Sequence, residues 1–125
     1  MATSHRKQAI LAGVGTEISG NAYTHESVTL TVTETMGNGS LLLEDNTEAA
    51  KAASADVVGI VDDPKFDDGF YKVGETVFTR VAKRSVIANK DVIKFSDGAY
   101  ADEALTKLEA KGVILQAAST DFSLA

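Results

Sequence analysis

The stretch SVTLTVTE, residues 27–34, alternates apolar and polar side chains without a break. Successive side chains of an extended strand point to opposite faces, so Val28, Leu30 and Val32 share one face while Thr29, Thr31 and Thr33 share the other. β-Branched Val and Thr suit that conformation. The stretch predicts a strand from about Val28 to Thr35, because an apolar repeat of two is incompatible with the helical repeat of about 3.6. A strand needs a neighbour. The rest of the chain must supply one, or leave the edge for another molecule.

Beyond residue 35 the chain is cut into short runs. MGNGS, residues 36–40, predicts a tight turn, since Asn and Gly accept positive φ. LLLE, residues 41–44, predicts a short buried strand. DNTEAAKAASAD, residues 45–56, is polar and Ala-rich and reads as a loop rather than a helical turn. DVVGIVDD, residues 56–63, is an apolar strand, and Gly59 in its interior marks a bulge or a close backbone approach. Pro64 and Gly69 frame a turn cluster. FYKVGETVFTRVAKRSV, residues 70–86, predicts two strand-like runs bent at Gly74, and IANKDVIKF repeats the pattern with a turn at Asn89 and Lys90.

One helix is signalled, in YADEALTKLEAKGVIL. Asp102 is the expected N-cap, and Glu103 places negative charge in the first turn. Lys107 and Lys111 suit the other end. Leu105 and Leu108 form the buried stripe. Gly112 is the expected left-handed C′ residue, with Val113 reaching back to Leu108. A last strand begins in GVILQAA. The expected class is mostly β with one short C-terminal helix, α+β, without internal repeats.

The 125 residues suit one domain. Residues 1–26 are rich in Ala, Gly, Ser and Thr and lack a period, which predicts a flexible arm; the alternative is an early strand in QAILAGV. The domain proper runs from 27 to 125, with the strand at 27–35 assignable to either part. There is no Cys, so disulfides and thiolate metal sites are excluded. The formal net charge of −6 disfavours nucleic acid and anionic membrane surfaces as partners. No apolar run reaches the roughly 20 residues of a membrane span. The start reads poorly as a signal peptide, because Gly13, Gly15 and Glu17 break its apolar part. Cytoplasmic synthesis is the expectation.

Signatures of chemistry fail in turn. The two His, His5 and His25, fall in the arm and read as solvated. GVGTEISGN spaces Gly15 and Gly20 as a phosphate loop does, yet Asn21 and Ala22 stand where Lys and Ser or Thr belong. Ile18 occupies the third Gly of a dinucleotide fingerprint. Asp62, Asp63, Asp67 and Asp68 raise calcium as an option, but Pro64 and Lys65 interrupt the ligand spacing. No GxSxG elbow occurs. No catalytic residue, cofactor or metal is expected, which leaves a binding or structural protein. Charge is uneven: Glu44 to Asp68 holds eight acids against two Lys, and Arg80 to Lys94 holds five bases against Asp91. Two readings stand. Either these are solvated edges, or Asp62, Asp63, Asp67 and Asp68 meet Arg80, Lys83 and Arg84 of a neighbouring subunit in a ring.

ADVVGIV, then FYKVGETV, then DEALTKLEAKG ending at VIL, over about residues 40–117, resembles the lambda-type head decoration proteins of tailed bacteriophages. The resemblance implies a small tulip-like or barrel-like β domain with an extended N-terminal arm and no catalytic residues. It implies homotrimers at three-fold positions on the outer surface of an expanded head, made in the host cytoplasm and stabilising the virion against packaged DNA. The implied partner is the major capsid protein. The arm is expected to order by strand addition, anchored by Ile10, Leu11 and Val14, with Val28, Leu30 and Val32 facing the capsid or the domain's own core. A stable core is expected from about residue 36. The chain departs from the pattern in its long region before residue 40. Alternatives are a tail-tube or fibre-associated subunit, or a small acidic metal-binding protein.

Overall fold

Alternating stretches and continuous apolar runs meet in one antiparallel sheet, and the difference between them is how many faces are covered. The computed structural model describes residues 9–13 and 24–117. The sheet contains β2 (His25–Thr31), β3 (Leu41–Leu42), β4 (Gly59–Val61) and β5 (Thr76–Ala82), in the order β2-β5-β4-β3; β1 (Ile10–Gly13) precedes them in the chain. At its β3–β4 end both faces are buried. Leu41, Ile60 and Ala82 join one apolar cluster, while Leu42, Val61 and Val81 join a second on the other side. That is why these strands read as unbroken apolar runs. At the β2 end only one face is covered. Leu30, Val32 and Val77 are buried in the second cluster, and Thr29, Thr31, Thr76, Phe78 and Arg80 are exposed.

The first cluster is roofed by a second sheet of β1, β6 (Val86–Asn89) and β9 (Ile114–Gln116), in the order β1-β6-β9. β1 runs antiparallel to β6 and β9 runs parallel to it. A hairpin of β7 (Lys94–Phe95) and β8 (Gly98–Ala99) adds Phe95, whose ring stacks on Tyr100 at 6.4 Å between centroids. The helix α1 (Thr106–Ala110) supplies Leu108. The fold is mostly β with one short helix near its C-terminal end, and its described strands form three sheets without a closed barrel.

Two glycines do what their positions predict. A Cβ on Gly59 would sit 2.6 Å from Val81 Cγ1, so β4 and β5 approach closely only because that atom is missing. Gly112 has φ +84, and it ends α1 in a Schellman arrangement. Its N–H donates to the Glu109 carbonyl at 3.0 Å, and the Val113 N–H donates to the Leu108 carbonyl at 3.1 Å.

Other expectations are corrected. The helix starts at Thr106, not after Asp102, and Leu105 stands at its N-cap without a side-chain cap. Asp102 has φ +64, and the segment before the helix is held by its own bonds. The Ala101 N–H donates to Glu103 Oε1 at 2.9 Å, and the Tyr100 hydroxyl donates to the Glu103 carbonyl at 3.0 Å. Residues 70–75 form no strand, because Glu75 folds back on Lys72, accepting its N–H at 2.9 Å. Lys51–Asp56 is a 3-10 turn rather than a plain loop. The core does not begin at residue 36: all seven residues of β2 pair with β5, and the Val32 N–H extends the ladder to the Glu75 carbonyl at 2.9 Å. Within the stretch expected as an arm, Ile10–Gly13 is a strand on β6. Ala9 is fully buried, and its carbonyl accepts the Asn89 N–H at 2.8 Å. Residues 1–8 and 14–23 lie outside the described residues.

Candidate functional site

The β2–β5 ladder puts a polar, uncovered face on the outside of the molecule. Register places Thr29 opposite Phe78, Thr31 opposite Thr76, and Ser27 opposite Arg80. All six are exposed. Phe78 is 70% exposed, because strand alternation turns it away from Val77 and Thr79, which face the second cluster. An aromatic side chain left in water on a Thr-rich face is a ready contact for a partner, since such rings supply much of the energy of interfaces. Phe70, at 67%, and Val73, at 63%, are also exposed in the turn that leads into β5. Tyr71 between them turns inward, edge-on to Phe66 with ring centroids 4.7 Å apart.

The acids expected to meet a neighbouring subunit are partly engaged at home. Asp63 is buried and accepts the Thr79 hydroxyl at 2.6 Å, the Tyr71 hydroxyl at 2.9 Å and the Lys65 N–H at 3.1 Å. Burial pushes its carboxyl up, but the Thr79, Lys65 and Tyr71 bonds outweigh it and hold the group below its ordinary value. Burial, then the Asp63 carboxylate, raises the Tyr71 phenol. Asp62 accepts from His25 Nε2 at 2.7 Å and lies 3.8 Å from Arg80. Asp67 accepts the Asn38 N–H at 3.4 Å, and Asp68 is exposed. Glu26 on β2 pairs with Arg84, and with Lys83 at 3.9 Å. The Arg84 bond, set against burial and joined by the charge of Lys83, lowers the Glu26 carboxyl.

His25 is therefore not a solvated arm residue. It sits half-buried in β2, with Nδ1 at 2.7 Å from the Thr24 hydroxyl and Nε2 on Asp62, and it ties β2 to the end of β4. Proximity to a strand could have flagged it, but its partner is 37 residues away. Among the described residues, no three His, Asp or Glu side chains come together as a metal site, and no helix is long and apolar enough to cross a membrane.

The expected anchors divide. Ile10 pairs with Ala88 inside the β1–β6 ladder, and Leu11 is half-buried beside it. Val14 lies outside the described residues. Leu30 and Val32 are buried in the second cluster, with Val28 packed against it. Sequence reasoning missed Phe78; the alternation of TVFTRVA around it carries the signal, since it places Phe on the face of Thr76 and Arg80.

A family described as the bacteriophage PhiTE minor capsid decoration protein has a model that matches residues 7–124 of the chain. Searches of curated proteins and of solved structures return no match. The match spans all three sheets, α1 and the uncovered β2–β5 face, and it agrees with the resemblance to phage head decoration proteins read from ADVVGIV, FYKVGETV and DEALTKLEAKG. The chain belongs to the bacteriophage PhiTE minor capsid decoration protein family, and is accordingly a structural component of the virion that associates with the capsid.

Proposed function

We propose that the protein binds the outer surface of the expanded shell of the major capsid protein, as homotrimers at three-fold positions, and stabilises the head against internal DNA pressure without catalysing a reaction. The family match carries this reading. Its physical support is the exposed β2–β5 face with Phe78 at its centre, which offers a hydrogen-bonding surface with one apolar anchor. The N-terminal grip acts through an edge rather than through a free arm. β1 is the outer strand of its sheet among the described residues, so a capsid strand adds alongside Ile10 and Leu11, with Val14 the next large apolar residue along the chain. Each contact is weak alone, and three on one trimer reinforce one another through effective concentration.

Co-sedimentation with purified heads tests the proposal. The full chain is expected to pellet with expanded shells and to stay in solution with free capsid subunits. Phe78→Ser should weaken binding about tenfold, the equivalent of about 1.4 kcal/mol, with the fold intact because the ring contributes nothing to either cluster. A protein that ignores expanded shells overturns the reading.

A further inference from the structure

We infer that a second copy of this chain docks in a furrow of mixed charge beside α1, setting its acidic half against the basic half of the first. The furrow serves the self-assembly proposed above and rests on that part of the reading; it is independent of capsid binding. The basic half is a depression of about 410 Å³ lined by Lys83 and Arg84, just after β5, and by Lys107 and Lys111 at α1. The acidic half is a depression of about 520 Å³ lined by Asp45 and Asp56. Glu44 and Lys107 line both, so the two halves share a border.

Charge complementarity singles out the occupant. The whole chain carries a net charge of −6, so two copies repel unless unlike patches meet. This furrow gathers four cations in a molecule dominated by acids, and sets an acidic depression directly alongside. In the trimer proposed above, each copy offers its basic half to one neighbour and its acidic half to the other, a head-to-tail contact. The pairing inside one chain does not compete strongly. Lys107 lies 3.6 Å from Asp56, and both side chains are more than half exposed, where such pairs contribute little and exchange partners freely. Glu26 steadies Lys83 and Arg84 from the β2 side. Apolar walls give docking more than charge to cover: Val58 and Ala110 in the basic half, Leu43 and Ala53 in the acidic half.

Sedimentation velocity of the full chain tests this. At low ionic strength the parent chain should self-associate, and the dissociation constant should rise about tenfold or more near 0.5 M salt, where screening acts within a few ångströms. Lys111→Glu alone and Asp56→Lys alone should each weaken association about tenfold, and the double variant, which restores opposite signs across the junction, should return to within about threefold of the parent. Unchanged melting temperatures establish that the variants fold. Should either reversal unfold the chain, Lys111→Gln and Asp56→Asn must each still weaken association. A parent chain that associates while the single variants behave like it, or a double variant that stays weak, overturns the furrow and leaves self-assembly standing. A parent chain that is monomeric at every salt and concentration overturns self-assembly and the furrow with it.

Discussion

Asp63 closes the second cluster at the point where β4 leaves the sheet. Its carboxylate takes two hydroxyl donors and one N–H, and Thr79 is buried beneath it. The folded carboxyl lies below its ordinary 3.8. A depressed acid stabilises the fold above its unfolded value and loses that contribution as pH falls through the folded one. The melting temperature of the parent chain should therefore drop below about pH 4, and Asp63→Asn, which puts an N–H donor against either the two hydroxyls or the Lys65 N–H, should destabilise by about 1–3 kcal/mol at neutral pH. The acid limb of a melting-temperature profile should be shallower in Asp63→Asn; an identical limb would show that other carboxylates govern it. Gly59 gives a sharper geometric case. A methyl there must displace Val81, so Gly59→Ala should cost about 1–3 kcal/mol in urea unfolding. The roles of Gly59 and Gly112 were legible in the sequence, because a missing side chain is a local statement. Those of Asp63 and His25 were not, because their partners lie far along the chain and arrive only when β2, β4 and β5 assemble.

β2 shows what patterning can and cannot say about an element. The alternation in SVTLTVTE gave a strand with one covered face but misplaced its ends: expected over Val28–Thr35, β2 runs from His25 to Thr31. It did not give the partner, because a pleated face looks the same whether it packs on its own domain or on a neighbour. The register from His25↔Ala82 to Thr31↔Thr76 settles β2 into this chain's own sheet. Removing residues 1–35 should consequently abolish cooperative unfolding, since Leu30 and Val32 leave the second cluster and β5 loses its outer neighbour. Circular dichroism through a thermal ramp reads this directly, and a sharp transition in the truncated chain would contradict it. The runs LLLE and DVVGIVDD gave the strands β3 and β4, and the structure adds that both their faces are covered. α1 was legible at its end and not at its start: Gly112 enforces the stop, whereas Asp102 fits a cap in composition and is drawn into a left-handed turn by the loop that Glu103 anchors.

At the scale of the whole molecule, the two larger sheets divide the labour. The one that carries Phe78 leaves a broad face open, and the one built on β6 gathers segments from distant parts of the chain. The class of protein was legible from the order of short motifs together with the failure of every catalytic signature. The proposed contact surfaces were not, because they depend on which face of each strand the second sheet covers. One consequence of the β6 sheet concerns its two outer strands. β1 begins, and β9 finishes, level with Asn89: the Asn89 N–H meets the Ala9 carbonyl, and Gln116 pairs with Asn89. With one strand between them, those two points lie about 10 Å apart. With residues 1–8 and 118–125 removed, a peptide fused ahead of Ala9 and another fused beyond Ala117 would emerge side by side from one rim. A short bridge joining them would give a circular permutant, whose new termini could be opened in the turn at residues 67–75.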